Sequence, residues 1–378
     1  MNVVVMNYTF DPRIETPAEL LERYDALSAW CRAVSEAGLS VRLVQAFTHD
    51  AVLRSDAVEW HFCQATAPRA RWVREMHRCA AAHDPDLVHV NGFDVPVQTW
   101  LLRQAMPAST AIVVQDHAGV PSANWIKMAV RRALMRAIDG FLFTSNAQAD
   151  PWVQGGFITS DDVYGILEAS TSLRPMDLTE ARRSTGIDGS PALLWVARLD
   201  SNKDPITILE GFRHVVDVLP RATLTMIYRD AELLPLIRQR LQSSRALAER
   251  VRLVGAVPHA ELAKWYSAAD LFVIGSAREV CGYAVVEACA CGATPIVTDI
   301  PPFRAITGDG AIGGHWPRGD ARSFADAVIA ASGSSRGIGR DRVLEHFAAH
   351  LSWNRVGQRA SVIYESVVAR RRSERQVS

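Results

Sequence analysis

Four charged residues are spaced so that they could handle a phosphorylated, hydroxyl-rich ligand. Glu279 and Glu287 have seven residues between them and bracket the passage from a polar loop into a helix that opens at Gly282. A strand running into a helix N-terminus is an anion site, because the first N–H groups are unpaired and point outward. Arg198 stands at the tip of the apolar run in LLWVARLDSNKDP, and Lys203 follows five residues later, just before Pro205. A guanidinium grips a diphosphate in a forked geometry and an ammonium acts on it as a point charge. The two carboxylates could accept hydrogen bonds from ribose and sugar hydroxyls. The plainer reading makes Arg198 and Lys203 solvated loop residues paired with Asp200 and Asp204, and the glutamates caps or surface groups.

These side chains need strands and helices behind them. Residues 271–274 read as a buried strand, and 294–298 as a second apolar run that ends on Asp299. Strand and helix patterns alternate along the whole chain, which argues for parallel α/β units. In the first half the strands are 2–6, 41–46, 87–90, 111–114, 140–143 and 163–167, with helices over 18–38 and 70–83. Between 46 and 70 the chain reads as polar and less regular. Three strand tips, Asn91-Gly92, Gln115-Asp116-His117 and Thr144-Ser145-Asn146, carry polar or small residues, and ligands of open parallel sheets bind beyond such tips. A polar stretch over 176–191 with Gly186 and Gly189 marks a boundary. Beyond it come strands 192–197, 222–227 and 251–254, then helices 322–331, 340–350 and 352–371, with a frayed tail. The fold class is α/β: two doubly wound, Rossmann-like domains facing a cleft, divided at 172/173.

Bulk composition narrows the function. The 378 residues are 48% apolar and 22% charged, with Lys plus Arg and Asp plus Glu at 41 each, so no field favours nucleic acid. The opening MNVVVMNYTF lacks a basic region and reads as a first strand, which predicts a cytoplasmic protein. The six cysteines share no CxxC spacing and read as reduced, small apolar residues, not zinc ligands or disulfides. Asp84-Pro85-Asp86 abuts a strand, so no metal is expected there. The helix over 126–138 carries Lys127, Arg131, Arg132 and Arg136 among apolar residues; it reads as a solvated face, with peripheral contact at the inner membrane surface as the alternative. No GxGxxG follows the first strand, which disfavours a dinucleotide oxidoreductase.

The succession VARLDSNKDP, LVGAVPHAELAKWYSAADLFVIGS, then Glu279 and Glu287 followed by ACGATPIVTD, resembles the retaining family four glycosyltransferases of the GT-B fold, glycosyl transferases group 1. PDLVHVNG, IVVQDHAG and DGFLFTSNAQ are similar to the same family. So is the ending LSWNRVGQRASVIYESV, whose helix crosses back onto the first domain in that family. The resemblance thus assigns 1–172 with a C-terminal helix of about 355–378 to the acceptor side, and 173–354 to the nucleotide-sugar donor.

By position, the resemblance implies that Arg198 and Lys203 hold the donor diphosphate, Glu287 the ribose and Glu279 the donor-sugar hydroxyls. Val280, Cys281, Gly282 and Tyr283 would offer backbone N–H groups, the base would lie near Val254 to His259, and His117 would reach the sugar from the first domain. Glu279, His117, Arg198 and Lys203 form the expected catalytic set, with no enzymic nucleophile, no cofactor and no metal. The donor is a nucleoside diphosphate sugar, a UDP-sugar being favoured, and the acceptor a hydroxyl of a glycan, a lipid-linked molecule or a natural product. Four departures stand out: Ala197 for a usual glycine, Val280 and then Cys281 where small residues would widen the sugar pocket, Asn7 to Asp11 for a glycine-rich loop, and Glu168-Ala169-Ser170-Thr171 for an asparagine-glycine turn. The rival readings are a nucleotide-sugar-binding protein without catalysis and an epimerase of the same fold.

Overall fold

A computed structural model describes residues 1–55, 58–66, 68–117, 121, 125–333 and 339–376. The chain divides into two units, Met1–Ala169 with Trp353–Ser378, and Ser170–Ser352.

The first unit has eight strands: β1 (Asn2–Asn7), β2 (Ser40–Phe47), β3 (Ala51–Ser55), β4 (Val58–Gln64), β5 (Leu87–Asn91), β6 (Ala111–Gln115), β7 (Gly140–Phe143) and β8 (Val163–Gly165). Their order is β3-β4-β2-β1-β5-β6-β7-β8, and every neighbouring pair is parallel except β3 with β4. The central strands are continuous runs such as Val3, Val4, Val5 and Met6, all fully buried, because helices cover both faces of a parallel sheet. The less regular stretch after β2 is in fact the antiparallel hairpin β3/β4. Its half-buried Glu59 is tied to Arg42 on β2 and Arg54 on β3, so polar residues in the strand pattern are neutralised across the sheet. The single helix expected over 18–38 is two, Pro17–Arg23 and Asp25–Glu36, broken where Tyr24 takes φ −107° and ψ 48°.

The helix Trp353–Gln376 completes this unit and does not fray at Arg371. Tyr364 Oη accepts from Trp30 Nε1 at 3.2 Å and is bonded to His89 Nδ1 at 2.7 Å. Arg370 pairs with Asp162 at 2.9 Å and Arg371 with Asp139 at 3.1 Å. Gly357 lies so close to the helix Asp25–Glu36 that an added Cβ would stand 2.0 Å from the Ala33 carbonyl oxygen.

The basic helix is Trp125–Met135. Arg131 donates to Phe93 O at 2.7 Å and lies over the Trp152 ring at 4.5 Å, and Arg132 lies over Phe157 at 5.5 Å. Two of its cations are therefore engaged by their own unit. No helix among the described residues is long and apolar enough to cross a membrane.

The second unit has six parallel strands: β9 (Ala192–Val196), β10 (Thr223–Ile227), β11 (Val251–Gly255), β12 (Leu271–Ile274), β13 (Thr294–Thr298) and β14 (Gly314–Trp316), in the order β11-β10-β9-β12-β13-β14. The apolar runs of the sequence do not predict the short β14. Its core gathers Leu193, Trp195, Phe212, Val273, Trp316 and Phe324. The helix expected over 340–350 ends at His346 and passes into a wider turn, Phe347–Leu351.

Candidate active site

The second unit's site grows from the tips of β9 and β12, neighbours at the centre of its sheet. After β12 the chain crosses a loop and enters the helix Tyr283–Ala290 through Gly282. Gly282 has φ +74°, and an added Cβ there would lie 2.7 Å from the Phe303 ring, so only glycine turns this corner without strain. After β9, Arg198 extends into solvent with 59% of its side chain exposed and meets Asp200 at 3.1 Å. Lys203 does not pair with Asp204. Asp204 (φ +47°) instead caps the helix Pro205–Val218 through Thr207 N at 3.3 Å.

Lys203 Nζ pairs with Glu279, which also accepts from Ser276 Oγ at 2.6 Å. The two loops are stitched together by backbone: Ala277 N donates to Asn202 O at 2.7 Å, and Asn202 Nδ2 to Arg278 O at 3.1 Å. Thr298 Oγ1 on β13 donates to Ser276 O at 2.6 Å. Three strand tips thus hold the Lys203–Glu279 pair, and neither member is a freely solvated surface charge.

Glu287 is buried within its helix. Its Oε1 is bonded to His259 Nε2 at 2.7 Å and its Oε2 accepts from Tyr266 Oη at 2.8 Å. Burial, and then the Glu287 charge, push the Tyr266 hydroxyl well above its usual range, so it remains a donor. Val254, at the end of β11, and Val280 are half-buried, and Tyr283 is exposed. Cys281 is buried at 1% exposure, which takes its side chain out of the loop surface and leaves Val280 as the bulky group there.

In the first unit, His117 follows β6. Its Nδ1 pairs with Glu168 and its Nε2 is 2.7 Å from Asn91 Oδ1. Residues following β5, β6 and β8 or ending them meet at this imidazole. Ala118 and Gly119 of the IVVQDHAG stretch lie outside the described residues. Asp86 accepts from Asn2 N at 2.8 Å and pairs with Arg372, a structural use that agrees with its position before a strand. The sequence does not mark Glu168 or Tyr266 as site residues, and it places His259 only at the edge of the stretch expected near the base, not on Glu287. Tyr266 sits in an apolar helix and reads as core, and the Glu168–His117 contact joins residues 51 apart. A cavity of about 650 Å³ in the second unit touches Pro191, Leu271 and Thr294, at the starting ends of β9, β12 and β13 and away from the tips that lead to Arg198, Lys203 and Glu279.

Residues 177–335 match the family model described as Glycosyl transferases group 1. A D-inositol 3-phosphate glycosyltransferase of Catenulispora acidiphila is 29% identical over 50% of this chain and 47% of its own length. The chain spans about half the length of the curated relatives it matches in this way. Sucrose-phosphate synthase of Thermosynechococcus elongatus has a TM-score of 0.69 at 19% identity, over 98% of this chain and 100% of that one. HepE of Anabaena, solved in complex with UDP, has a TM-score of 0.69 at 15% identity, over 97% of this chain and 100% of that one. The architecture is the GT-B fold, with two parallel-sheet, Rossmann-like units. Its second unit carries the domain of the group 1 glycosyltransferases.

Proposed function

We propose that the protein is a retaining, metal-independent glycosyltransferase that moves a sugar from a nucleoside diphosphate donor, a UDP-sugar by preference, to an acceptor hydroxyl. The observation that carries this reading is the stitched pair Lys203–Glu279 beside Arg198, with Glu287 fixed by His259 and Tyr266 in the same unit. Cleavage of the bond between the anomeric carbon and the β-phosphate oxygen leaves charge on that phosphate. Arg198, Lys203 and the N–H groups from Val280 to Tyr283 are assigned to stabilise it, a preorganised electrostatic role that calls for no metal. Glu279, already beside the phosphate-binding cation, is assigned to the sugar hydroxyls. Glu287 spends one lone pair per oxygen on His259 and Tyr266, and a carboxylate has about four, so the ribose can bind to the remainder. The base is assigned to the surface near Val254 and His259. His117, whose two ring nitrogens meet Glu168 and Asn91, is retained as a polar donor that exchanges Asn91 for a sugar hydroxyl, and no nucleophile is assigned.

The UDP complex of HepE supports the base preference. The name of the Catenulispora relative makes inositol 3-phosphate the first acceptor to try. The test is a screen of UDP-, GDP-, ADP- and dTDP-sugars for slow hydrolysis, thermal shift and transfer, followed by assignment of the product anomer. Binding without hydrolysis or transfer would leave only a nucleotide-sugar binder, an isomerised donor would indicate the epimerase, and neither shift nor turnover with any donor would sink the reading. Added Mg²⁺ or Mn²⁺ should leave the rate unchanged.

A further inference from the structure

The β3/β4 edge of the first unit holds a set of soft donor groups that the proposed reaction does not use. His61 and Cys63 lie two apart on β4, so both project from one side of the strand. Cys79 lies in the last turn of the helix Arg69–Ala81, and His83 follows in the turn just after that helix. Cys63 is hydrogen-bonded to Cys79, and the rings of His61 and His83 have centroids 4.6 Å apart. One donor atom from each of His61, Cys79 and His83 lies within 4.8 Å of the others.

Donor atoms around a tetrahedral zinc stand about 3.3–3.8 Å apart, so closure of His61, Cys79 and His83 on an ion asks for shifts of about an ångström, while Cys63, which lies outside that set of three, must turn further to reach it. One ring nitrogen of His61, Nε2, is buried without a hydrogen bond, and Glu59 Oε1 is 3.4 Å from it. A carboxylate beside the imidazole is the arrangement that orients metal-bound histidines. His61, Cys79 and His83 are half-buried, which leaves an ion a route in.

We propose that His61, Cys79 and His83, with Cys63 as the fourth ligand, form a zinc site that pins the helix Arg69–Ala81 to β4. Thiolate and imidazole donors without oxygen ligands select a zinc-like ion over Mg²⁺, Ca²⁺ or Mn²⁺. Four protein ligands close the coordination sphere, so the role is structural and separate from the transfer chemistry. The pattern is H-x-C on a strand and C-x3-H across the end of a helix, which a search for CxxC pairs passes over.

The test uses the whole chain, reduced and stripped with a chelator. Reloading should give one zinc per chain by mass spectrometry, a rise in Tm, and a thiolate charge-transfer absorption with Co²⁺ in place of zinc. Cys79→Ser and His83→Gln should each weaken zinc binding by at least about tenfold, and Cys63→Ser should reduce the charge-transfer intensity. Metal-free melting of each variant close to that of the metal-free parent shows that it folds. Substoichiometric zinc in the parent, or undiminished zinc uptake in Cys79→Ser and His83→Gln, overturns the proposal.

Discussion

Glu287 has one oxygen on an exposed imidazole and the other on a buried phenol, so its removal has two separable effects. Glu287→Ala strands the Tyr266 hydroxyl without its acceptor, and a buried unmatched donor costs about 1–3 kcal/mol. The urea midpoint should fall accordingly. Tyr266→Phe together with Glu287→Ala should recover part of that loss, while nucleotide affinity stays low in both variants. Lys203 and Arg198 divide differently. Charge-assisted hydrogen bonds are worth about 1.5–3 kcal/mol, or roughly 10–150-fold in Kd, so each alanine variant should lose that much affinity for UDP by calorimetry. Unchanged UDP affinity in both would remove the diphosphate assignment. The residues that were legible in the sequence lie just beyond strand tips, as Arg198, Lys203, Glu279 and His117 do, or in the helix that such a tip leads into, as Glu287 does. Glu168 and Tyr266 were not legible as site residues, because their partners, His117 and Glu287, are distant in sequence and their own local patterns read as turn and core.

Among the elements, the helix Trp353–Gln376 shows how little room the fold leaves. Its Gly357 takes the Ala33 carbonyl where any Cβ would collide at 2.0 Å. Gly357→Ala must push two helices apart and disturb the Trp30–Tyr364–His89 set nearby in the packing. Overpacking of this kind costs about 1–3 kcal/mol, read as a lower denaturant midpoint, with Ala360→Gly on the same helix as a contrast that creates space instead. The alternation of strands and helices predicted most elements, since continuous apolar runs mark buried parallel strands. The hairpin β3/β4 escaped a reading tuned to continuous apolar runs, because β4 alternates apolar and polar residues from Val58 to Phe62, with Arg42 and Arg54 on neighbouring strands pairing its Glu59. The three residues of β14 are too few to give any periodicity.

At the scale of the molecule, two buried histidines of the first unit link folding to acidity. Burial lowers His77 from 6.5 to about 4 and His89 from 6.5 to about 3. Both are held neutral in the fold, while the unfolded chain protonates them as pH drops below 6.5. The unfolded state then binds more protons, so stability is complete above that pH and falls towards pH 4. At about 1.4 kcal/mol per pH unit per group, each histidine should cost roughly 2 kcal/mol by pH 5. Urea melts at pH 7.5 and pH 5 would show it, and His77→Gln should flatten the difference. The last helix also has a bearing on the order of events during synthesis. The first unit is interrupted by the 183 residues of Ser170–Ser352 and regains its final helix only afterwards. At ordinary ribosomal speeds of about 5–20 residues per second, that interval lasts roughly 10–40 s. Throughout it Trp30 and His89 lack the hydroxyl of Tyr364, so the part of the molecule made first is the part finished last, and a nascent chain halted near residue 350 would present that open seam to chaperones.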